Sequence, residues 1–166
     1  MTPSFQLDFV SPGRVALMSD EAFPQDKQAL MEMLGPLFGD AVPHNQVLGM
    51  QLVDVGPGEA SVRLPYQDFL VGNPETGVLH GGAVMALLDV ACGTSVFLKL
   101  RRLALIATLD LRIDYLRPAR PGKDILARAE CYKVTRSVAF VRALAHDGEP
   151  DDAVASAQGT FIIRED

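Results

Sequence analysis

Gly77-Val78-Leu79-His80-Gly81-Gly82-Ala83-Val84-Met85-Ala86-Leu87-Leu88-Asp89-Val90-Ala91-Cys92-Gly93-Thr94-Ser95-Val96-Phe97-Leu98 is the stretch on which the fold turns. Two adjacent glycines open a predicted helix over Gly81–Leu98 that is apolar on nearly every side. Asp89 is its one charged side chain before Lys99. A helix apolar all round belongs in the middle of a protein. An aspartate is rarely found there unless it is paired or has chemical work to do. The helix is also long enough to raise a membrane span. A lone Asp in lipid costs about 2.5–3.5 kcal/mol with no second span to pair with, so the stretch reads as the buried helix of a soluble domain.

Outward from this helix the pattern changes period. Thr108 to Tyr115 alternates strictly, which predicts a half-buried strand. Leu109, Leu111, Ile113 and Tyr115 are expected on one face, and Thr108, Asp110, Arg112 and Asp114 on the other. Strands are predicted over Ile125–Val134 and Val138–Ala145, joined by the tight Thr135-Arg136-Ser137, and a last one over Ala155–Ile163. Upstream, two strands start at about Met50 and are separated by the turn Gly56-Pro57-Gly58. Pro65–Thr76 reads as a loop, because Gly72-Asn73-Pro74 interrupts regular structure. Leu30, Leu34, Leu37 and Phe38 recur at helical spacing, with Pro36 ending or kinking that helix near Gly35. Before it, Phe5, Leu7 and Phe9 suggest a short hairpin or a loosely held arm. Short turns imply antiparallel neighbours. The expected architecture is therefore α+β, one antiparallel sheet curled round a long helix. Residues 1–45 form an N-terminal arm and accessory helix, and residues 46–166 the main domain. One sheet covers only part of a helix, so a partner subunit is expected to seal the rest.

The remaining composition narrows the function. At 166 residues a single domain is the natural size, and a net charge of −6 gives no support to nucleic-acid binding. Two cysteines, Cys92 and Cys131, make no disulfide framework and read as packing residues. No Cys/His/Asp spacing suggests a metal, and there is neither a Gly-x-Ser-x-Gly elbow nor a phosphate loop. The N-terminus carries no basic-then-apolar segment, so no signal peptide is read and a cytoplasmic location is expected.

Leu79-His80-Gly81-Gly82, followed by Leu88-Asp89 and by a strand ending Tyr115-Leu116-Arg117-Pro118, resembles the hotdog-fold thioesterases of the PaaI-like (4-hydroxybenzoyl-CoA thioesterase) superfamily. Asn73 upstream supports the resemblance, which spans roughly Gly49 to Ile163. It implies the hotdog fold and hydrolysis of an acyl-CoA thioester without metal or organic cofactor. It also implies a homodimer as the minimum unit, with a homotetramer expected.

The residues can be read for themselves beside that resemblance. N–H groups at a helix start lack intrahelical acceptors, the dipole's positive end collects there, and glycine admits a close ligand. Gly81-Gly82 thus suits a carbonyl oxygen that becomes an oxyanion. By resemblance, the Gly81 N–H is the polarising donor and Gly82 lies beside the substrate. Asp89 is about 12 Å further along the helix, too far to share one carbonyl with Gly81 in the same chain. The family brings the two together across a dimer, with Asp89 as general base or nucleophile. Asp89 shares a helix face with Met85, Cys92 and Val96, so an apolar setting favouring its neutral form is expected. By resemblance Asn73 assists at the reaction centre, and Thr108 helps hold the attacking water. His80 either transfers a proton or fixes the loop by hydrogen bonding. Arg136 and Ser137 are the candidates for gripping CoA. The alternatives are a hotdog enoyl- or 3-hydroxyacyl-thioester hydratase or dehydratase, and a non-catalytic acyl-CoA binder.

Overall fold

The computed structural model describes residues 23–39 and 41–164. The expected hairpin or arm around Phe5–Phe9 lies outside the described residues. The chain begins with three short helices, α1 (Lys27–Leu34), α2 (Pro36–Gly39) and α3 (Pro43–Leu48). Strands β1 (Gln51–Gly56) and β2 (Glu59–Leu64) follow, then a small hairpin of β3 (Val71–Asn73) and β4 (Val78–Leu79). Helix α4 (Gly81–Leu100) comes next, then β5 (Leu105–Tyr115), β6 (Ile125–Val134), β7 (Val138–His146) and β8 (Ala155–Arg164). Six strands form one antiparallel sheet in the order β1-β2-β6-β7-β8-β5, folded about α4. This is the α+β hotdog architecture expected above.

Alternation in β6 to β8 explains why the helix and sheet approach closely. Ala127, Ala129 and Cys131 of β6, Ala139, Val141, Ala143 and Ala145 of β7, and Ala155 and Ala157 of β8 all turn inward and are buried. Small side chains there leave room for Leu87, Leu88, Ala91, Cys92 and Val96 of α4, each fully enclosed. The outer face carries the charges in pairs, Arg128 with Glu59 and Arg142 with Glu130. Both pairs are solvent-exposed and contribute little. The apolar helix that raised a membrane span is thus the core helix of the sheet.

Helix α1 is capped by Asp26, whose carboxylate accepts the Ala29 N–H at 3.0 Å. It ends before Pro36, and the following turn buries Phe38 in the main core. Leu34 and Phe23 pack with Val55, Ala60 and Leu98. Lys27 of α1 pairs with Asp54 on β1, whose carboxyl it holds below the usual range. The edge strand β1 is therefore short, bulged between Leu52 and Asp54, and flanked by α1. The other edge, β5, is 11 residues long and, among the described residues, pairs only with β8.

The structure corrects the sequence reading in four places. Six residues of α3 were not foreseen; Pro43 opens that helix and Gly49 closes it at φ 67°. Part of the expected loop, including Gly72 and Asn73, is the strand β3. Helix α4 extends two residues further, to Leu100. The fourth correction bears on function. A bulge between Thr108 and Asp110 inserts Leu109 as an extra residue in β5. Thr108 then pairs with the inward residue Phe161, Leu111 with Gly159 and Ile113 with Ala157. Thr108 accordingly shares the helix-facing side with Leu111, Ile113 and Tyr115 rather than opposing them. A bulge reverses the alternation beyond it and re-aims a side chain, which strict period-2 reading does not anticipate.

Candidate active site

The start of α4 is built by His80. Its backbone is extended (φ −65°, ψ 133°), and its Nδ1 accepts the Gly82 N–H at 2.9 Å, in the role usually filled by a Ser or Asp oxygen. In that bond the Nδ1 lone pair is the acceptor. The Ala83 N–H returns to the His80 carbonyl at 2.9 Å. Among the described residues nothing accepts the Gly81 N–H. Of the first three N–H groups of the helix, Gly81 alone keeps its donor free.

Tyr115, at the end of β5, crosses to this point. Its hydroxyl donates to the Gly81 carbonyl at 2.7 Å. A methyl group on Gly81 would lie 3.3 Å from both Cζ and Oη of that ring, a contact that a small shift of the ring would relieve. Desolvation raises the Tyr115 pKa, which keeps the phenol a donor. Gly81, Tyr115, Leu79, Val84 and Leu116 line a groove of about 450 Å³. On the other flank of the helix start, His44, Phe69, His80, Gly82 and Ala86 line a second groove of about 390 Å³.

Asp89 stands two turns further on. The Thr108 hydroxyl, aimed at it by the β5 bulge, donates to Asp89 Oδ1 at 2.7 Å. The expectation of a buried aspartate in an apolar setting is corrected here. Asp89 is half-buried and Met85 on the same face is exposed, while Cys92 and Val96 are fully enclosed. The cause is coverage: α4 lies chiefly over β2, β6 and β7, which leaves its β5 side open. The Cys92 thiol is pushed up to about 12 by burial, and the Asp89 charge adds to the effect. Burial also raises Cys131, so neither thiol supplies a thiolate near neutral pH.

The other sequence candidates are more dispersed. Asn73 closes an Asx turn, its Oδ1 accepting the Glu75 N–H at 3.0 Å and its carbonyl the Gly77 N–H at 2.8 Å. Arg136 and Ser137 are exposed in the β6–β7 turn. Val138 pairs with Ile162, next to the Phe161 that faces Thr108, whereas Tyr115 pairs with Ala155. Arg136 and Ser137 are therefore at the Asp89–Thr108 end of the sheet, and Tyr115, six ladder positions along β8, is about 20 Å away at the other end. One chain thus presents a free N–H at the start of α4 and, two turns on, a carboxylate anchored by Thr108. Sequence reading gave Tyr115 no role, although it lay in the quoted Tyr-x-x-Pro. His44, which lines the second groove, was not among the sequence candidates, being distant in sequence and without metal-ligand spacing. Among the described residues no cluster of three His, Cys, Asp or Glu side chains is placed to hold a metal.

Residues 76–154 match the family model of the thioesterase superfamily. Over 150 residues the chain is 34% identical to the medium/long-chain acyl-CoA thioesterase YigI of Escherichia coli, covering 82% of this chain and 95% of that protein. Among solved structures, a Pseudomonas aeruginosa protein is 41% identical and superposes with a TM-score of 0.72 over 81% of this chain and 98% of its own. A mutant of the phenylacetic acid degradation protein PaaI from Thermus thermophilus is 28% identical, with a TM-score of 0.63 over 72% of this chain and 97% of that one.

Proposed function

The chain belongs to the thioesterase superfamily, and on that premise we propose that it is an acyl-CoA thioesterase whose site is completed by a second copy of itself. The observation that carries this reading is the free Gly81 N–H at the start of a 20-residue helix whose one carboxylate, Asp89, is anchored by Thr108 on the uncovered side. The name of the relative YigI supports an acyl-CoA substrate of medium or long chain.

The free N–H and the anchored carboxylate define the chemistry. Antiparallel apposition of two helices brings Gly81 of one subunit to Asp89 of the other. The thioester carbonyl oxygen accepts the Gly81 N–H, at the positive end of the helix dipole. Asp89 either takes the proton of an attacking water or attacks the carbonyl carbon itself. The tetrahedral carbon then expels the CoA thiolate, which takes up the proton removed from water. On the nucleophilic route water then hydrolyses the Asp89–acyl anhydride, freeing the acid and restoring the carboxylate. Thr108 spends its one proton on Asp89 Oδ1, and its lone pairs are left to orient water. Asn73 assists from the β3–β4 hairpin, His80 holds the helix start, and Gly82 borders the acyl groove. Arg136 and Ser137 grip the CoA end. No metal or organic cofactor takes part. A homodimer is the working unit, a homotetramer the expected assembly, and the cytoplasm the expected location. Residues 46–166 carry the hotdog domain and residues 1–45 are accessory to it.

Mixing two inactive variants tests both chemistry and assembly. Asp89→Asn and Gly81→Ala are each expected to release free thiol from acyl-CoA at least about a hundredfold more slowly than wild type. Co-refolded together, they restore one competent site per mixed dimer and recover a substantial fraction of wild-type turnover. Wild-type turnover in Asp89→Asn sinks the catalytic assignment. Absence of recovery on mixing sinks the shared site.

A further inference from the structure

We propose that Tyr115 is a positioning residue, holding the first peptide of α4 so that the Gly81 N–H is the donor left for the thioester carbonyl. The proposal rests on the reading above for the identity of that donor. It adds a residue to which nothing else assigns a role.

The case begins with two consecutive glycines, which leave the backbone freer than any other pair. A loose Gly81–Gly82 peptide would spread its N–H groups over many directions, and an oxyanion donor is useful only if pre-aimed. Here that peptide is held at both poles. Its carbonyl accepts the Tyr115 hydroxyl at 2.7 Å, and its N–H goes to His80 Nδ1 at 2.9 Å. The tyrosine ring also lies against Gly81, where an added Cβ would sit only 3.3–3.4 Å from it. Holding that peptide at both poles restricts rotation at Gly81 and so narrows the range open to its own N–H, which no described residue accepts.

Tyr115 is itself firmly held. It pairs with Ala155 in the β5–β8 ladder, and Leu116 N–H donates to the Val154 carbonyl at 2.9 Å. Arg117 grips the fully buried Asp147 carboxylate through two bonds of 2.7 and 2.8 Å, and the Arg120 N–H adds a third at 2.7 Å. The anchor runs from an enclosed carboxylate, through the strand end, to the helix start. The phenol ordinarily ionises near pH 10 and desolvation raises its pKa further, so the hold does not titrate near neutral pH.

Tyr115→Phe keeps the ring and removes only the hydroxyl. The expected result is kcat lowered about tenfold with KM changed less than about twofold, the loss of one hydrogen bond that matters in the transition state. The thermal midpoint should stay within about 2 °C, since the ring packing persists. Amide exchange of Gly82, followed by NMR, should accelerate at least about threefold as its peptide loosens. That measurement needs no substrate, so it reports on the clamp even if Asp89→Asn retains activity and the thioesterase site is elsewhere. Unchanged Gly82 exchange overturns the clamp. Wild-type kcat overturns the positioning role, as does a kcat loss that merely tracks a fall in thermal midpoint.

Discussion

Gly159→Ala should damage this protein more than any other addition of a single methyl group to a described glycine. Gly159 is enclosed in β8 opposite Leu111, beside the β5 bulge, where the partner strand bends inward. A Cβ there would lie 2.4 Å from the Asp110 carbonyl oxygen and 3.2 Å from Leu111 Cα. These are backbone atoms of the neighbouring strand, so no side chain can swing aside to relieve the contact. The strand must retreat about 0.9 Å to restore a carbon–oxygen separation of about 3.3 Å. As an edge strand, β5 can move, but it loses two or three ladder bonds around the bulge, or about 2–3 kcal/mol. For a chain of this size that lowers the thermal midpoint by about 5–10 °C. The same movement carries Thr108 away from Asp89. If Thr108 moves as far as Asp110, their 2.7 Å bond opens to about 3.6 Å and ceases to be a hydrogen bond. Thiol release should then fall at least about tenfold, in protein that still folds at room temperature. Calorimetry and an acyl-CoA hydrolysis assay on the same preparation test both effects. A Gly159→Ala protein with an unchanged midpoint and full turnover refutes the reasoning.

Two further perturbations test the frame around the site. Asp147→Asn leaves Arg117 and Arg120 without their buried acceptor charge and should cost about 3 kcal/mol at neutral pH. Arg117 holds the Asp147 carboxyl well below the usual carboxylate range, so its contribution is complete above the unfolded value of about 4 and erodes as pH falls below it. Urea midpoints of wild type and variant should therefore converge below about pH 4; a gap that is constant with pH contradicts this account. A chain beginning at Pro43 gives up the buried Phe23, Leu34 and Phe38 and exposes Val55, Ala60 and Leu98. The loss should be at least about 4 kcal/mol, read as a lowered denaturation midpoint, and an unaltered midpoint would show α1 and α2 to be dispensable.

The sequence revealed what depends on local pattern. Helix α4 was legible because an apolar run of that length with one acid has few other uses, and β6 to β8 because their alternation is unbroken. Features set by neighbouring strands or by thin local signals were not legible. Thr108 was assigned to the wrong face because the bulge at Leu109 is a property of the β5–β8 register, and nothing in Ala107-Thr108-Leu109-Asp110 marks it. The six residues of α3 show no periodicity, and only Pro43 and Gly49 at its ends hint at it. Asp89 was expected in an apolar enclosure, yet its exposure depends on which strands lie over the helix. Tyr115 looked like one more apolar strand residue, because its contact with Gly81 spans 34 positions.

The two edges of the sheet have different consequences for the life of the chain before it assembles. The β1 edge is short, bulged and flanked by α1, with Asp54 tied to Lys27. Among the described residues, the β5 edge offers 11 residues of open backbone, with Leu105 and Leu109 exposed along it. An edge of that kind is a template for any passing strand. For the proposed dimer, a newly made chain thus runs a race between finding its own copy and finding the wrong neighbour. Substitutions along β5 should accordingly show themselves first as poor recovery of soluble protein, and only afterwards as a slow enzyme.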